Sequence, residues 1–227
     1  MKIKNLILYS NNLVQQTQFY SKVLDFEILE TNKKKTSFKI GNSMLTFEYR
    51  EKFTPYHFAI NIPSNKEEEA LHWLKQRVTI LKDENSEIQY FDFWNAYAIY
   101  FYDPDNNIVE FIARKNLKTN SSQTFNKNSI LGISEIGLPT LDIEREFNIL
   151  KQKCDLQKFS GNLESFCAIG DETGLFIAIN KNKKEYWYPT KDKPYSSDFS
   201  MELEEKNAIF IVDYRNEILH VSKKTTT

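Results

Sequence analysis

The sequence predicts an α+β fold made of tandem modules, each with the element order βαβββ. Three observations support this fold class. Alternating apolar and polar residues, typical of strands, recur along the chain. Helical periods separate the first strand of a module from the strands that follow it. The same order of strand, turn and helix repeats when the chain is aligned on Asn5, His57 and Glu135.

Each aligned segment carries a helix start signal after its first strand. Asn12, Ser64 and Asp142 occupy the same place in the three segments, and all three residue types are good N-caps. Gln15 and Glu67 add the spacing of a capping box in the first two segments. The sequence therefore predicts three helices that begin next to these residues.

The first two modules continue with short alternating segments that we predict to be strands. Their last strands align so that Thr46 takes the position of Glu110. The second module therefore has a carboxylate where the first has a hydroxyl group. The predicted strands after the helices cover residues 36–40, 44–50, 96–102 and 108–114.

The modules group into two predicted domains joined by a linker. Residues 1–115 form a domain of two modules, residues 116–128 a polar linker, and residues 129–227 a second domain of one module plus a truncated one. Residues 208–220 represent the truncated module, because they repeat the pattern of the second module's last two strands. In this fragment His220 takes the place of the carboxylate.

Composition limits the partners of the chain. Lys and Arg number 30 against 31 Asp and Glu, a net charge of −1 that argues against nucleic acid or an anionic membrane as a partner. We find no signal peptide after Met1 and no apolar run of membrane-spanning length, so we expect a cytoplasmic protein. Cys154 and Cys167 lack zinc or redox spacing and are expected to be free thiols. The expected partner is a small molecule, bound by a monomer or a homodimer.

His57 and Glu110 are the first candidates for a functional site. Both lie on predicted strands, and the period of two residues places them on the same face of a sheet. An imidazole and a carboxylate in such a place can share a divalent metal. They can equally form a hydrogen-bonded pair without a metal. The residues alone leave both interpretations open.

Aromatic residues cluster around the middle strands of the second module. On a pleated strand, about half of them are expected to pack against the helix of their own module and the rest to face a cavity. An aromatic wall suits a flat or hydrophobic ligand. The candidates for substrate binding are Trp94, Tyr97, Tyr100, Tyr102 and Thr46.

The tandem modules resemble the vicinal oxygen chelate superfamily, which includes glyoxalase I, extradiol ring-cleaving dioxygenases and bleomycin-binding proteins. Two segments carry the resemblance: residues 19–26, Phe-Tyr-Ser-Lys-Val-Leu-Asp-Phe, and the Asp-Pro-Asp hairpin of residues 103–111, which includes Glu110. The resemblance covers residues 1–114 well and fades towards the end of the chain. It implies that paired modules form a curled mixed sheet around a cavity, with the helices outside.

The resemblance also implies metal ligands on the first and last strands of each module. The residues at those positions are Asn5, Thr46, His57 and Glu110. His57, Glu110 and Asn5 are the implied metal ligands, and Glu48 is a further residue that could complete the set. Glu110 and Glu48 are the candidates for moving a proton. The implied cofactor is a divalent metal such as Fe, Mn, Zn or Ni, and the absence of any metal is equally compatible because Asn5 and Thr46 replace two ligands.

Two functions are compatible with this resemblance. The first is a metal-dependent lyase, isomerase or ring-cleaving dioxygenase that acts on a small oxygen-rich or aromatic molecule. The second is a metal-free protein that binds a small molecule or sequesters an antibiotic, as bleomycin-resistance proteins do. A second site at Glu135 and His220, which hold in the C-terminal half the positions of Asn5 and Glu110, is a further hypothesis.

Overall fold

The computed structural model describes residues 1–224, in which sixteen strands and three α-helices follow one another. The helices are α1 (Leu13–Gln18), which continues as a π-helical turn over Phe19–Val23, α2 (Glu67–Lys75) and α3 (Ile143–Cys154). The strands are β1 (Lys2–Ser10), β2 (Ile28–Thr31), β3 (Lys35–Ile40), β4 (Ser43–Tyr49), β5 (His57–Ile62), β6 (Ile80–Leu81), β7 (Gln89–Phe91), β8 (Ala96–Tyr102), β9 (Ile108–Arg114), β10 (Gly132–Thr140), β11 (Lys158–Gly161), β12 (Phe166–Asp171), β13 (Gly174–Asn180), β14 (Phe199–Glu205), β15 (Ala208–Arg215) and β16 (Ile218–Lys223).

These strands form two mixed sheets. The seven-stranded sheet has the order β16-β15-β14-β1-β4-β3-β2. The nine-stranded sheet has the order β11-β12-β13-β10-β5-β9-β8-β6, with β7 paired to β8. In each of the first three modules the first strand runs parallel to the last, as β1 does with β4, β5 with β9 and β10 with β13. The predicted α+β class is confirmed, and the first and third modules have the predicted element order βαβββ.

The pairing of the modules differs from the sequence prediction. The first module shares its sheet with β14, β15 and β16, whereas the second shares its sheet with the third through the antiparallel pair of β5 and β10. The two modules predicted to form one domain over residues 1–115 therefore lie in different sheets. Every first strand offers the same backbone groups along its free edge, so internal similarity does not reveal which strands pair. The predicted second domain, residues 129–227, extends past the described residues at 225–227.

Two of the three predicted N-caps are confirmed. The side chains of Asn12 and Asp142 accept hydrogen bonds from backbone N–H groups in the first turns of α1 and α3. Ser64 does not cap α2, because that helix begins later, after Lys66. Its hydroxyl group instead donates a hydrogen bond to the backbone carbonyl of Arg114 at 2.7 Å. Ser64 therefore ties the end of β9 to the start of the helix.

The fourth module is an antiparallel meander in which residues 181–198 stand in place of a helix. The strand β16, which aligns with β9, pairs with β15 at the edge of its sheet, whereas β9 pairs with the first strand of its module, β5. Residues that align in sequence therefore do not reach matching places. His220 lies on the edge strand β16, opposite Asp213, with an exposed side chain. Glu135 belongs to the other sheet, so the hypothesis of a joint site with His220 is wrong.

The nine-stranded sheet buries apolar side chains on both faces. On one face Phe58 and Phe111 join a large core that includes Leu74 of α2. On the other face Ala59 and Ile112 belong to a smaller apolar cluster. Full burial of one large apolar side chain stabilises a fold by about 1.5–3 kcal/mol. The central strands are therefore held firmly from both sides, which fixes the polar residues that they carry.

The predicted linker packs along α2. The side chain of Asn65 accepts a hydrogen bond from the backbone of Ser121 at 2.9 Å, and the carboxylate of Glu69 accepts one from Phe125 at 2.8 Å. Residues 116–128 thus lead from β9 to β10 along a defined path over the helix side of the sheet.

Two smaller expectations can be compared with the structure. Cys154 and Cys167 are free and buried, as predicted. Among residues 1–224, none of the helices has the length and apolar character needed to cross a membrane.

Candidate metal centre and ligand cavity

A cavity of about 700 Å³ opens on the face of the nine-stranded sheet that lies away from α2. Strands of the second and third modules form its floor, and residues 90–94 and 184–188 contribute to its walls. Its volume lies within the range of small-molecule sites. Half of the lining residues are aromatic: Tyr90, Phe91, Phe93, Trp94, Tyr100, Phe166, Trp187 and Tyr188.

Three potential metal ligands meet on the floor of this cavity. His57, Glu110 and Glu135 are 6%, 3% and 2% exposed, and their nearest ligand atoms all lie within 4.8 Å of one another. The strand register explains the meeting. Ala59, two residues after His57 and on the same face, pairs with Glu110 on β9 and with Glu135 on β10. Both carboxylates therefore flank the strand that carries the imidazole.

The hydrogen bond of His57 determines which ring nitrogen is available. Its Nδ1 lies 3.2 Å from the backbone carbonyl oxygen of Ile108, which can only accept, so Nδ1 carries the proton. The lone pair of Nε2 then faces Glu110, whose Oε2 lies 3.5 Å away. Burial lowers the pKa of His57 to about 4, and the positive charge of Lys184 contributes to this shift. The imidazole is therefore neutral near pH 7, which is the form that binds metals.

Burial makes the ionised forms of Glu110 and Glu135 unfavourable. Burial raises the pKa of Glu110 well above its usual range, and the adjacent carboxylate of Glu135 raises it further. Burial also raises the pKa of Glu135, although the neighbouring Arg114 guanidinium opposes this effect. Two carboxyl groups and a neutral imidazole thus direct lone pairs towards one another. A bound cation, or a proton on one carboxyl group, relieves this repulsion.

Arg114 supports the cluster from the end of β9. Its side chain is fully buried, and its Nη2 contacts Oε1 of Glu135. Its Nε and Nη1 atoms have no hydrogen-bond partner within the described chain. The guanidinium carbon lies 5.1 Å from the centre of the Trp94 ring. Arg114 therefore orients the Glu135 carboxylate and compensates one of the two negative charges.

Aromatic rings surround the three donors. The ring centres of His57 and Trp187 are 4.9 Å apart. Tyr188 meets Phe91 and Tyr100 edge to face, at 5.7 Å and 5.9 Å. These rings give the imidazole apolar surroundings, and a low local dielectric constant strengthens electrostatic interactions within the site.

The segment of residues 181–198 supplies one wall of the cavity. The hydroxyl group of Tyr188 lies 2.8 Å from Asp83 and 2.9 Å from Gln89, so the segment is held against the second module. Trp187 lies directly over β10, where a Cβ atom at Gly137 would come within 2.8 Å of its ring. Only a glycine at this position leaves the indole its place.

The structure brings four of the predicted site residues to one cavity. His57 and Glu110 form part of the donor cluster, and Trp94 and Tyr100 line the cavity around it. Their roles in binding a metal or a ligand remain predictions, but their proximity is a property of the fold.

Three other predicted site residues lie elsewhere. Asn5 is on β1, and Thr46 and Glu48 are on β4, all in the seven-stranded sheet. The hydroxyl group of Thr46 donates to the Asn5 side chain at 3.5 Å and lies 2.9 Å from the hydroxyl oxygen of Ser37. The expectation that Asn5 or Glu48 completes the metal set is wrong, because the first and second modules do not share a sheet.

Two predicted aromatic ligands also lie outside the lining. Tyr97 and Tyr100 project from opposite faces of β8. The ring of Tyr97 packs on that of Tyr90, with 4.7 Å between the ring centres. Tyr102 shares the face of Tyr100, but its hydroxyl group contacts Asp192 in residues 181–198. Tyr102 therefore helps to hold this segment in place.

Sequence reasoning did not place Glu135, Arg114, Lys184, Trp187 or Tyr188 at the site. Only Glu135 left a usable signal, because the repeat alignment puts it in register with His57. Arg114 was marked only as the last residue of a strand. The other three belong to a segment without periodicity, and their places depend on the fold of the whole chain.

Solved structures with similar folds agree with this architecture. A candidate dioxygenase from Bacillus subtilis superposes with a TM-score of 0.65 over 98% of this chain and 84% of its own, at 12% identity. The chain has the fold of the vicinal oxygen chelate superfamily. The predicted resemblance is thereby confirmed at the level of the fold, and an identity of 12% leaves the reaction undetermined.

Smaller relatives of this fold cover about half of the chain. A lactoylglutathione lyase from Agrobacterium tumefaciens covers 48% of this chain and 90% of its own, with 20% identity and a TM-score of 0.42. A glyoxalase/dioxygenase from Nostoc punctiforme covers 50% and 90%, with 17% identity and a TM-score of 0.39. No protein-family model and no curated protein matches the sequence. The fold assignment rests on the Bacillus subtilis structure.

Proposed function

We propose that this protein is a metal-dependent enzyme in which His57, Glu110 and Glu135 hold a divalent cation. Its substrate is a small oxygen-rich or aromatic molecule, and its reaction is that of a lyase, an isomerase or a ring-cleaving dioxygenase. The main support is the chemistry of the donor cluster: three buried groups whose lone pairs converge within 4.8 Å. One imidazole and two carboxylates form a donor set that suits iron, manganese, zinc or nickel.

The groups behind the donors also fit a metal. The Nδ1 proton of His57 is held by the carbonyl group of Ile108, which leaves Nε2 directed into the cluster. Arg114 holds the Glu135 carboxylate in the same way from the other side. Metal-binding histidines and carboxylates usually have such partners, which fix their orientation. The residues present therefore fit a divalent metal.

The chain's own residues supply positioning and proton transfer. A divalent metal, when bound, polarises adjacent oxygen atoms of a substrate as a Lewis acid. Trp187 and Tyr188 exclude water from one side of the ligand, and Trp94 and Tyr100 orient a planar group from the others. In metal-free protein burial raises the pKa of Glu110, so its carboxyl group holds a proton, which binding of the cation would release.

All parts of this proposed site come from one chain. The three donors lie on β5, β9 and β10, and the lining residues belong to the second and third modules and to residues 181–198. A monomer can therefore carry the complete site, and a homodimer remains compatible with it.

Metal analysis of the purified protein tests the proposal. Protein prepared without chelators and then dialysed against Mn²⁺, Fe²⁺ or Zn²⁺ is expected to retain one metal ion per chain, measured by mass spectrometry of the elements. His57→Ala and Glu135→Gln should lose this ion. Asn5→Ala, at the matching position of the other sheet, and His72→Ala, on the surface of α2, should keep it.

Two results would refute the metal site. One is a wild-type protein that retains none of these metals. The other is a metal that is bound equally well by His57→Ala and by the wild type. Loss of the metal in Asn5→Ala with retention in Glu135→Gln would instead assign the site to the seven-stranded sheet.

A metal-free binding protein is the second candidate function. Its support is Arg114, which already neutralises Glu135, together with the raised pKa of Glu110, which allows that group to stay protonated. The aromatic cavity then sequesters a planar compound without chemistry. Ligand affinity that is unchanged by a chelator, in a protein that binds no metal, would favour this function.

A further inference from the structure

Lys184 is a cationic residue of the cavity that has no anionic partner within residues 1–224. Its side chain is half-buried, and its Nζ lies 5.1 Å from the centre of the Phe166 ring. The neighbouring lysines behave differently, since Lys181 pairs with Glu217 and Lys183 with Glu164. Lys184 forms no ion pair with any residue from 1 to 224, and burial lowers the pKa of its ammonium group.

The acidic residues of the cavity do not neutralise this lysine. Glu135 contacts Arg114, Glu110 faces the imidazole of His57, and Asp92 accepts a hydrogen bond from the hydroxyl group of Tyr90. The charge of Lys184 nevertheless acts on His57, which places the ammonium group within electrostatic range of the donor cluster. A half-buried cation has lost part of its hydration, so an anion that enters the cavity gains a strong, charge-assisted hydrogen bond there.

The surroundings of Lys184 define the rest of the ligand. The ring centres of Phe166 and Trp94 are 6.3 Å apart, and Trp187 lines the same cavity. Flat aromatic groups pack favourably against such rings. The cavity volume of about 700 Å³ is sufficient for a ligand of one or two rings.

We infer that Lys184 binds the carboxylate of an aromatic acid whose ring lies among Trp94, Phe166 and Trp187. Lys184 is thus a specificity residue that selects an anionic substituent. The inference rests on the proposed function only in treating this cavity as the substrate site. A single ammonium group matches one monoanionic substituent.

Two probes of equal shape test this inference. Calorimetry measures the binding of 2-naphthoate, which is anionic at pH 7, and of 2-naphthamide, which is neutral. The wild type should bind the acid at least fivefold more tightly than the amide. Lys184→Met and Lys184→Gln should bind both compounds with similar affinity. Lys183→Met removes an adjacent, exposed lysine and should keep the wild-type preference.

Each titration is done with Mn²⁺-loaded protein and with chelator-treated protein, because a metal would itself attract the carboxylate. The inference is supported when the wild type prefers 2-naphthoate, in the Mn²⁺-loaded or the chelator-treated protein, and both Lys184 variants lose this preference. The inference is overturned when neither probe binds, when the wild type shows no preference, or when both Lys184 variants keep it. A Lys184-dependent preference in a protein that binds no metal would refute the proposed metal site and leave this inference standing.

Discussion

The first module, in the seven-stranded sheet, and the second, in the nine-stranded sheet, share the parallel pairing of first and last strands and differ in the chemistry at matching positions. In both, the first strand of a module runs parallel to the last in the same register. The nine-stranded sheet has His57 and Glu110 where the seven-stranded sheet has Asn5 and Thr46. The first pair is ionisable and joined by Glu135, whereas the second is neutral and hydrogen-bonded within itself.

This difference shows how one fold can bury an ionisable cluster in one sheet and a neutral, hydrogen-bonded pair at the matching positions of the other. An amide and a hydroxyl group have both donors and acceptors, so they satisfy each other without a further partner. A carboxylate and an imidazole lone pair are acceptors, and burying them together creates a need for a cation or a proton. The site therefore follows from an imbalance of donors and acceptors on one sheet, and the shape of the fold is common to both.

The largest expected effect concerns the charge that supports the cluster. Arg114→Met leaves Glu135 buried without a counterion and should lower the free energy of unfolding by about 3–5 kcal/mol in metal-free protein. In the other sheet, Lys4→Met removes the exposed pair with Glu204 and should cost less than about 1 kcal/mol. Urea denaturation of both variants measures the contrast. An equal decrease of the free energy of unfolding in the two variants would show that Arg114 has no special electrostatic role.

The second effect is a pH dependence of stability that arises at the contact between the first and second modules. Tyr20 donates a hydrogen bond to the buried Asp103 at 2.9 Å. Burial raises the pKa of Asp103 to about 7, above its value in the unfolded chain. The folded state therefore holds the proton more strongly, and stability should fall by about 2–4 kcal/mol as the pH rises from about 4 to about 7. Unfolding measured across this range should show a flatter profile for Asp103→Asn, and an identical profile would contradict the assignment.

The third effect tests the cavity wall that residues 181–198 form over the nine-stranded sheet. Gly137→Ala places a methyl group against Trp187 and should destabilise the protein by about 1–2 kcal/mol while weakening ligand binding. In the background Trp187→Leu the same change should cost much less. A double-mutant cycle by urea denaturation measures the coupling, and additive costs would mean that the indole does not require the glycine.

The smallest effect is expected in the seven-stranded sheet. Thr46→Val removes the hydroxyl group that contacts Ser37 and Asn5 and should cost about 1 kcal/mol of unfolding free energy. Its metal content should equal that of the wild type, because the residue is outside the cavity. Elemental analysis beside the denaturation curve checks both parts, and a loss of metal would contradict the separation of the two sheets.

Local patterns in the sequence predicted much of what positions the site. The alternation of polar and apolar residues placed His57 and Glu110 on one face, and the observed register of β5 and β9 brings them together. The repeat alignment matched Asn5 with His57 and Thr46 with Glu110, as the two parallel registers show. Such features depend on spacing along a strand, which the order of residues records directly.

The rest depends on contacts between distant segments. Repeats resemble one another whichever way they pair. The sequence therefore predicts the register of Glu135 with His57, but not that the two residues belong to the same cluster. Lys184 and Trp187 lie in a segment with no period, and hydrogen bonds of Tyr188 to the second module set their positions. Neither kind of contact has a local sequence signal, and only the assembled sheets reveal them.

The path of the linker over α2 has a consequence for how the protein matures. Glu135 becomes part of the cluster only when β10, which follows residues 116–128, docks onto β5. A nascent polypeptide that has left the ribosome up to residue 131 carries two of the three donors, and Arg114 is still without its acidic partner. Binding of the proposed cation would therefore be a late event in biosynthesis, after the two halves of the nine-stranded sheet have joined.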